Sequence, residues 1–81
     1  MINVLFFAQV RELTQTDSLS LPAEFSCVED LRQTLATRGE RWALALASGK
    51  LLTAVNQRLV EPSHPLRDGD EVAFFSPVTG G

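Results

Sequence analysis

The chain has 81 residues, of which 44% are hydrophobic and one is a cysteine, and its formal net charge is −3 at pH 7. This length supports one small domain with a single hydrophobic core. The acidic balance disfavours nucleic-acid binding, and a lone cysteine excludes an internal disulfide or an all-cysteine metal cluster within one chain.

The first quarter of the chain predicts a β-hairpin. Residues 2–10 are rich in β-branched and aromatic side chains, which are typical of a strand. Residues 11–17 are polar and predict a connection, and residues 18–21 alternate Ser and Leu up to Pro22, which predicts a second strand with both leucines inward. Alternation along the first strand places Ile2, Val4, Phe6 and Ala8 on one face and Asn3, Leu5, Phe7 and Gln9 on the other.

A helix is predicted to follow Ser26. The Ser26 hydroxyl and the Glu29 carboxylate have the spacing of a capping box, and Gly39 predicts the end of the helix. The apolar positions at helical spacing are Val28, Leu31 and Leu35. A second, shorter helix is predicted over residues 41–47, because the alanines there favour a helix, although the alternation of large and small residues would also suit a strand.

The C-terminal half predicts three further strands. Residues 51–55 form the first, residues 56–58 a turn, and residues 59–60 a short second strand. Asp68 and Gly69 predict a tight turn before the last strand, residues 70–75. This element order predicts an α+β, β-grasp fold, in which a mixed sheet of about five strands carries one main helix and a shorter one, with the first and last strands parallel at its centre.

The chain closes on a thin, extended tail. We expect a domain over residues 1–75 and a tail over residues 76–81, which could reach roughly 20 Å beyond the domain. Pro77 restrains the backbone, whereas Gly80 and Gly81 add no side-chain bulk. Our hypothesis is that the carboxylate of Gly81 is the reactive group. The alternative is a frayed terminus, for which glycine is also common.

Four segments together resemble one family. These are Leu-Phe-Phe-Ala at 5–8, Ala-Val-Asn-Gln at 54–57, Asp-Gly-Asp-Glu-Val-Ala-Phe-Phe at 68–75 and Pro-Val-Thr-Gly-Gly at 77–81. Over essentially the whole chain, the sequence resembles the small subunit of molybdopterin synthase, a ubiquitin-like β-grasp sulfur carrier. Gly-Gly alone is a weak signal, but the acidic turn, the aromatic strand and the Gly-Gly end together are specific.

Two positions depart from the family pattern. Ser76 stands where the family often has a second proline, and Gln57 where many relatives carry glycine. Ser76 makes the tail slightly less stiff, and neither change touches the chemistry expected at Gly81.

The resemblance implies a carrier that acts only with partners. An activating enzyme related to ubiquitin-activating enzymes would use ATP to adenylate Gly81, and a sulfur donor system would convert it to a thiocarboxylate. The large subunit of molybdopterin synthase would then receive the tail and transfer the sulfur to cyclic pyranopterin monophosphate, in a heterotetramer of two carriers and two large subunits. The inserted residues would be Pro77, Val78, Thr79, Gly80 and Gly81. No cofactor would stay bound to the carrier, which would not be an enzyme on its own.

The acidity of the terminal carboxyl group explains why the tail would have to be activated. A terminal carboxylate has a pKa of about 3.3–3.7 and is therefore an ionised, poor electrophile at neutral pH. An acyl adenylate supplies a leaving group, and a side chain at position 80 or 81 would obstruct a narrow partner site.

An apolar patch is expected on the face of the sheet away from the helix. Leu5, Phe7 and Phe75 are predicted to point there, and such a patch on a small protein marks a contact surface. We predict that Phe7, Leu59 and Phe75 form a docking patch for both the activating enzyme and the large subunit, with Arg11 as a rim contact. The alternatives are a partly covered second face and a solvated Arg11.

The remaining reactive side chains favour structural roles. Cys27 at a helix start could have a lowered pKa but is more often simply packed, and His64 has no ligand partner at metal-binding spacing. Turn and strand-edge positions explain Asp68, Asp70 and Glu71, so no metal site is expected.

Other functions remain open. A sulfur carrier for thiamine thiazole or for a thiolated tRNA base would share the fold and the tail, and so would a ubiquitin-like modifier attached to lysines. The cysteine count excludes an iron–sulfur β-grasp protein. Residues 1–7 lack the basic region and cleavage site of a signal peptide and no apolar run is long enough to span a membrane, so we expect a soluble cytoplasmic protein.

Overall fold

The first and last strands of the domain lie side by side at the centre of one mixed sheet. The computed structural model describes residues 1–47 and 51–76. Its elements are β1 (Ile2–Phe6), α1 (Ala8–Thr14), β2 (Ser18–Leu21), α2 (Val28–Ala36), α3 (Glu40–Ala45), β3 (Leu52–Val55), β4 (Arg58–Val60) and β5 (Glu71–Phe75). The strand order is β2-β1-β5-β3-β4, and β1 and β5 are parallel while the other pairs are antiparallel. The β-grasp prediction is therefore confirmed.

Two aromatic residues join the central strands to the helical layer. Phe6 and Phe74 are opposite each other in the β1–β5 register, and their stacked ring centroids are 6.3 Å apart. The Trp42 ring of α3 meets Phe6 edge-on, with centroids 5.4 Å apart. Edge-on and offset aromatic pairs add about 0.5–1.5 kcal/mol to the burial of the rings.

The hydrophobic core lies between one face of the sheet and the helices. Three α2 residues at helical spacing are essentially fully buried, as predicted: Val28, Leu31 and Leu35. The core is completed by Ile2, Val4, Phe6, Val10, Ala45, Leu46, Val55, Leu66, Val72 and Phe74. Because each such large side chain stabilises the fold by about 1.5–3 kcal/mol on burial, this layer dominates the stability.

The predicted extension of the first strand through residue 10 is wrong, as is the predicted connection over residues 11–17. β1 ends at Phe6, and α1 occupies Ala8–Thr14. Val10 and Thr14 are one helical turn apart and both are buried, and the Thr14 hydroxyl donates to the Val10 carbonyl at 2.9 Å. The polar residues between them are exposed. Residues 11–14 of this short amphipathic helix were predicted to be part of a connection because most of them are polar.

The predicted capping box of α2 is also wrong. Cys27 is the N-cap, and no side chain caps the helix. The first two amides of the helix instead donate to carbonyls in the segment between β4 and β5. Val28 donates to His64 at 3.0 Å, and Glu29 donates to Pro62 at 2.9 Å. These partners come from a distant segment, which local sequence could not indicate.

Gly39 does not end α2. That helix ends at Ala36 with Thr37 as its C-cap, and Gly39 is the N-cap of α3 in an extended conformation. The second, shorter helix is confirmed, although it begins one residue earlier and ends two residues earlier than predicted.

The β3–β4 hairpin turns through two left-handed residues. Asn56 has φ 51° and Gln57 has φ 70°, and the turn leads directly into Arg58 of β4. The Asn56 side chain is anchored, because its amide donates to Asp70 at 3.0 Å and its oxygen accepts from the Glu71 amide at 3.1 Å. Gln57 is exposed, and among the hydrogen bonds of the described residues its side chain makes none.

Asp70 fastens this hairpin to the turn before β5. Its carboxylate accepts the Arg67 amide at 2.9 Å as well as the Asn56 side chain. The Arg67 amide, followed by the Asn56 side chain, holds the pKa of Asp70 below its ordinary value. The predicted turn at Asp68 and Gly69 is confirmed.

We expect Gln57→Gly to raise the free energy of unfolding by about 1 kcal/mol, because glycine relieves the left-handed strain of a non-glycine residue. Urea denaturation checks this. The matched control is Gln33→Gly at an exposed position within α2, where glycine should cost about 1 kcal/mol. A loss of stability at both positions would contradict the strain at residue 57.

We expect Asp70→Asn to flatten the loss of stability in acid. A carboxyl whose pKa is lower in the folded state stabilises the fold above its unfolded pKa, here 3.8, and this contribution disappears as the pH falls through the folded pKa. Urea midpoints measured from pH 7 to pH 2 should therefore fall less steeply below about pH 4 in the variant. Glu12→Gln, at an exposed α1 position, is the charge-matched control, and identical slopes for wild type and Asp70→Asn would refute the coupling.

Candidate functional site

The predicted reactive tail follows the central strand of the sheet. β5 ends at Phe75 between β1 and β3, and Ser76 is the last C-terminal residue described. The tail positions predicted to act, Pro77, Val78, Thr79, Gly80 and Gly81, lie outside the described residues. The position of Phe75 nevertheless fixes the end of the sheet from which the tail departs.

The face of the sheet opposite the core is open. Strand alternation and register identify the residues that point to this face. Within the part of the chain that the structure describes, none of these residues is buried. We call this surface the open face; it comprises Asn3, Leu5, Phe7, Ser18, Ser20, Leu52, Ala54, Leu59, Glu71, Ala73 and Phe75.

The open face is apolar at the end from which the tail leaves. One row crosses four strands in the order Leu5, Ala73, Ala54, Leu59. The next row towards the tail contains Phe7, Phe75 and Leu52. We call these seven residues the apolar half of the open face.

The other half of the open face is polar. Asn3 lies opposite Ser20 on one side and Glu71 on the other, and the Ser20 hydroxyl donates to the Asn3 side chain at 3.0 Å. Along β1 and β5 the face therefore changes from apolar to polar with distance from the tail, while the edge strand β2 contributes only serines, Ser18 opposite Leu5 and Ser20 opposite Asn3.

The three predicted apolar docking residues all lie on the apolar half. Phe7 continues β1, and its amide donates to the Phe74 carbonyl at 3.2 Å, which brings Phe7 beside Phe75. Phe7 is 47% exposed and Leu59 is 68% exposed, whereas Phe75 is half-buried. Leu59 is on the edge strand β4, two strands away from Phe75.

Arg11 lies beside this surface rather than on it. It is exposed on α1, one turn after Phe7, whose carbonyl accepts the Arg11 amide at 3.3 Å. Its guanidinium is 3.8 Å from the Asp17 carboxylate, an exposed pair that contributes little to stability. Arg11 is therefore placed at the rim, and its role in docking stays a prediction.

The sequence interpretation did not place Leu52 and Ala54 on this face. Leu52, which is 38% exposed, lies opposite Phe75, and Ala54 lies opposite Ala73. The alternation of residues 51–55 carried the signal, because Thr53 and Val55 point to the core and leave Leu52 and Ala54 for the other face.

The carboxylates of the acidic residues before β5 make local hydrogen bonds and ion pairs. Asp68 contacts the N-terminal ammonium group of Met1, which lowers the pKa of the Asp68 carboxyl. Asp70 holds the turn described above. Within residues 1–47 and 51–76, no group of His, Cys, Asp and Glu side chains is arranged to hold a metal ion.

Cys27 and His64 lie in the layer that supports α2. Cys27 is half-buried, and its backbone forms an isolated antiparallel β-bridge with Pro65. The His64 carbonyl accepts a hydrogen bond from the first amide of the helix. Their surroundings account for both as structural residues. Among the described helices, none is long and apolar enough to cross a membrane.

Comparisons with known proteins agree with this geometry. The model of the ThiS family matches residues 4–81. The chain is 67% identical over 81 residues to the molybdopterin synthase sulfur carrier subunit of Escherichia coli K12 and 53% identical over 81 residues to that of Haemophilus influenzae, with all of each chain covered.

A solved structure extends the comparison. Its subject is the complex of subunits 1 and 2 of molybdopterin-converting factor from Helicobacter pylori, which matches at 26% identity and a TM-score of 0.68, over 99% of this chain and 97% of the other. The chain therefore belongs to the ThiS family, and within it to the molybdopterin synthase sulfur carrier subunits.

Proposed function

We propose that this protein delivers sulfur to the large subunit of molybdopterin synthase as a thiocarboxylate on Gly81. An activating enzyme joins AMP from ATP to the Gly81 carboxylate, and a sulfur donor displaces the AMP. The charged carrier then docks on the large subunit, which transfers the sulfur to cyclic pyranopterin monophosphate. Two such transfers supply the dithiolene, in a cytoplasmic assembly of two carriers and two large subunits.

The observation that carries this proposal is the position of the apolar half beside the exit of the tail. Phe75 belongs both to that surface and to the last strand, so a protein that covers Phe7 and Phe75 is also adjacent to residue 76. Five further residues, extended, span roughly 17 Å, enough to enter a pocket in the same partner.

The division of labour explains the residue content of the domain. In the described residues, Cys27 and His64 make backbone contacts at the start of α2, and no hydrogen bond pairs a cysteine or hydroxyl with a histidine. The carrier contributes the acyl group and its orientation, whereas nucleotide binding and acid–base chemistry belong to its partners.

The attack on the activated carbon has a simple balance. A sulfur nucleophile forms a bond to the Gly81 carbonyl carbon, the bond to the AMP oxygen breaks, and AMP leaves with the electron pair. In the discharge step, the thiocarboxylate sulfur bonds to a carbon of the pterin precursor and displaces an oxygen substituent there, which gives a thioester. Water then cleaves the bond between this sulfur and the Gly81 carbonyl carbon, so the sulfur stays on the pterin and the carboxylate is restored for another charging.

We expect incubation with the cognate activating enzyme, ATP and a sulfur donor to replace one oxygen by sulfur on Gly81. Intact mass spectrometry with C-terminal fragmentation measures this. The sulfur should disappear on addition of the large subunit and the pterin precursor, and deletion of Gly81 should prevent charging. Covalent attachment to lysines of other proteins, with no sulfur gained, would instead indicate a ubiquitin-like modifier.

We expect Leu59→Ala to weaken binding to the large subunit by about 10-fold or more, because truncating a well-buried apolar anchor costs more than 1 kcal/mol. Isothermal titration calorimetry measures the affinity. Phe75→Ala should have a similar or larger effect.

Leu44→Ala is the matched control for Leu59→Ala. Leu44 is 66% exposed, close to the 68% of Leu59, but it lies on α3 in the helical layer. Its truncation should leave the affinity unchanged. Equal effects at the two leucines would refute the assignment of docking to the open face.

A further inference from the structure

Two alanines occupy the middle of the apolar half. Ala54 and Ala73 lie opposite each other on β3 and β5, and both are partly exposed. On the same row they are flanked by Leu5 on β1 and Leu59 on β4. Since neighbouring strands are about 4.8 Å apart, the two leucine backbones are separated by roughly 14 Å.

From the lengths of these side chains we infer a shallow depression over the two alanines. An alanine side chain ends at its Cβ, whereas the leucines on both sides extend further from the sheet. The row nearer the tail contains Phe75 and Leu52, opposite each other on the same two strands as the alanines. We call the surface over Ala54 and Ala73, bounded by Leu5 and Leu59, the alanine socket.

We propose that the alanine socket receives one large apolar side chain of the large synthase subunit, and that the small size of Ala54 and Ala73 is a determinant of this recognition. The inference rests on the proposed function, since it names the contact through which that partner is recognised. It concerns two residues that the docking patch predicted from the sequence did not include.

The chemistry of the socket selects an apolar occupant. Its floor and both its sides are hydrocarbon, and the nearest acidic side chain on the open face, Glu71, lies one row beyond it on the polar half. A polar or charged group placed there would lose its hydration without a hydrogen-bond partner.

The position of the socket beside the tail, together with the Helicobacter pylori complex of subunits 1 and 2, favours the large subunit as the partner. Ala73 is two residues before Phe75 on β5, about 7 Å along the strand, so the socket adjoins the exit of the tail. A protein that takes residues 77–81 into its own pocket is therefore close to this part of the open face. Insertion of a protruding side chain there would also fix how far the tail can enter.

The test fills the socket with larger side chains that should not reduce the stability of the fold. Ala73→Ile and Ala54→Ile replace alanine by a residue with a higher strand preference, on a face that is not buried, so thermal stability should be unchanged or higher. Calorimetric titration of the full chain with the large subunit should show at least a 10-fold weaker Kd for each variant. Ala73→Val, which adds less volume, should give a smaller loss.

Ser20→Ile is the control for added bulk. Ser20 lies on the same face but on its polar half, where an isoleucine should leave Kd unchanged. Ala73→Val and Ala54→Val also protect the test against misfolding, because an isoleucine variant that lost stability would be replaced by the corresponding valine.

Three outcomes separate the inference from the proposed function. If Phe75→Ala weakens binding but the isoleucine variants bind as tightly as wild type, the socket is refuted while docking on the open face stands. If Phe75→Ala, Leu59→Ala and the isoleucine variants all leave Kd unchanged, the docking surface itself is refuted. A concentration-dependent dimer of the chain alone that Ala73→Ile disrupts would assign the socket to a second copy and overturn our choice of partner.

Discussion

The parallel pairing of β1 with β5 is the constraint on which the rest of the structure depends. It joins the start of the domain to its end, and its register puts Val4 opposite Val72 and Phe6 opposite Phe74 in the core. The same register puts Leu5 opposite Ala73 on the open face. One pairing therefore defines both the buried layer and the exposed surface, and it places the last strand in the middle of the sheet.

A chain of this size cannot cover both faces of a five-stranded sheet. Its three described helices contain seven, nine and six residues, and they pack over one face only. The other face keeps large apolar side chains in contact with water, including Leu59, which costs stability unless a partner covers them. The exposure of this half-apolar surface is thus a consequence of chain length and topology combined, and its apolar residues are concentrated at the tail end.

Much of this architecture could be predicted from the sequence, because periodicity is a local property. The alternation over residues 2–7 gave the correct faces of β1, and the helical spacing of Val28, Leu31 and Leu35 gave the buried side of α2. α1 was missed because its two buried residues, Val10 and Thr14, are separated by exposed polar ones. The start of α2 was misjudged because its amides are satisfied by residues more than thirty positions away.

The residues of the candidate site also differ in whether local sequence could identify them. Phe7, Leu59 and Phe75 could be assigned to one face from alternation, since each is large, apolar and out of phase with the core. Ala54 and Ala73 could not be singled out, because an alanine carries no signal of its own. Their significance comes from the antiparallel register of β3 with β5, which is a long-range pairing that brings two small residues together between larger ones.

Under the proposed function, one protein charges the carrier and another discharges it, and the docking patch is predicted to serve both. If the activating enzyme and the large subunit each cover the apolar half to gain access to Gly81, they cannot bind the same carrier at once. Exchange then requires that the carrier dissociate from the first before it meets the second, so very tight binding to either would slow the cycle. An interface built on a few apolar anchors and a tail, with no buried charge pair on the described part of the open face, is compatible with such exchange. Discrimination between partners would then depend on shape rather than on charge, and the alanine socket is the part of the open face where a change in size alters shape without adding charge.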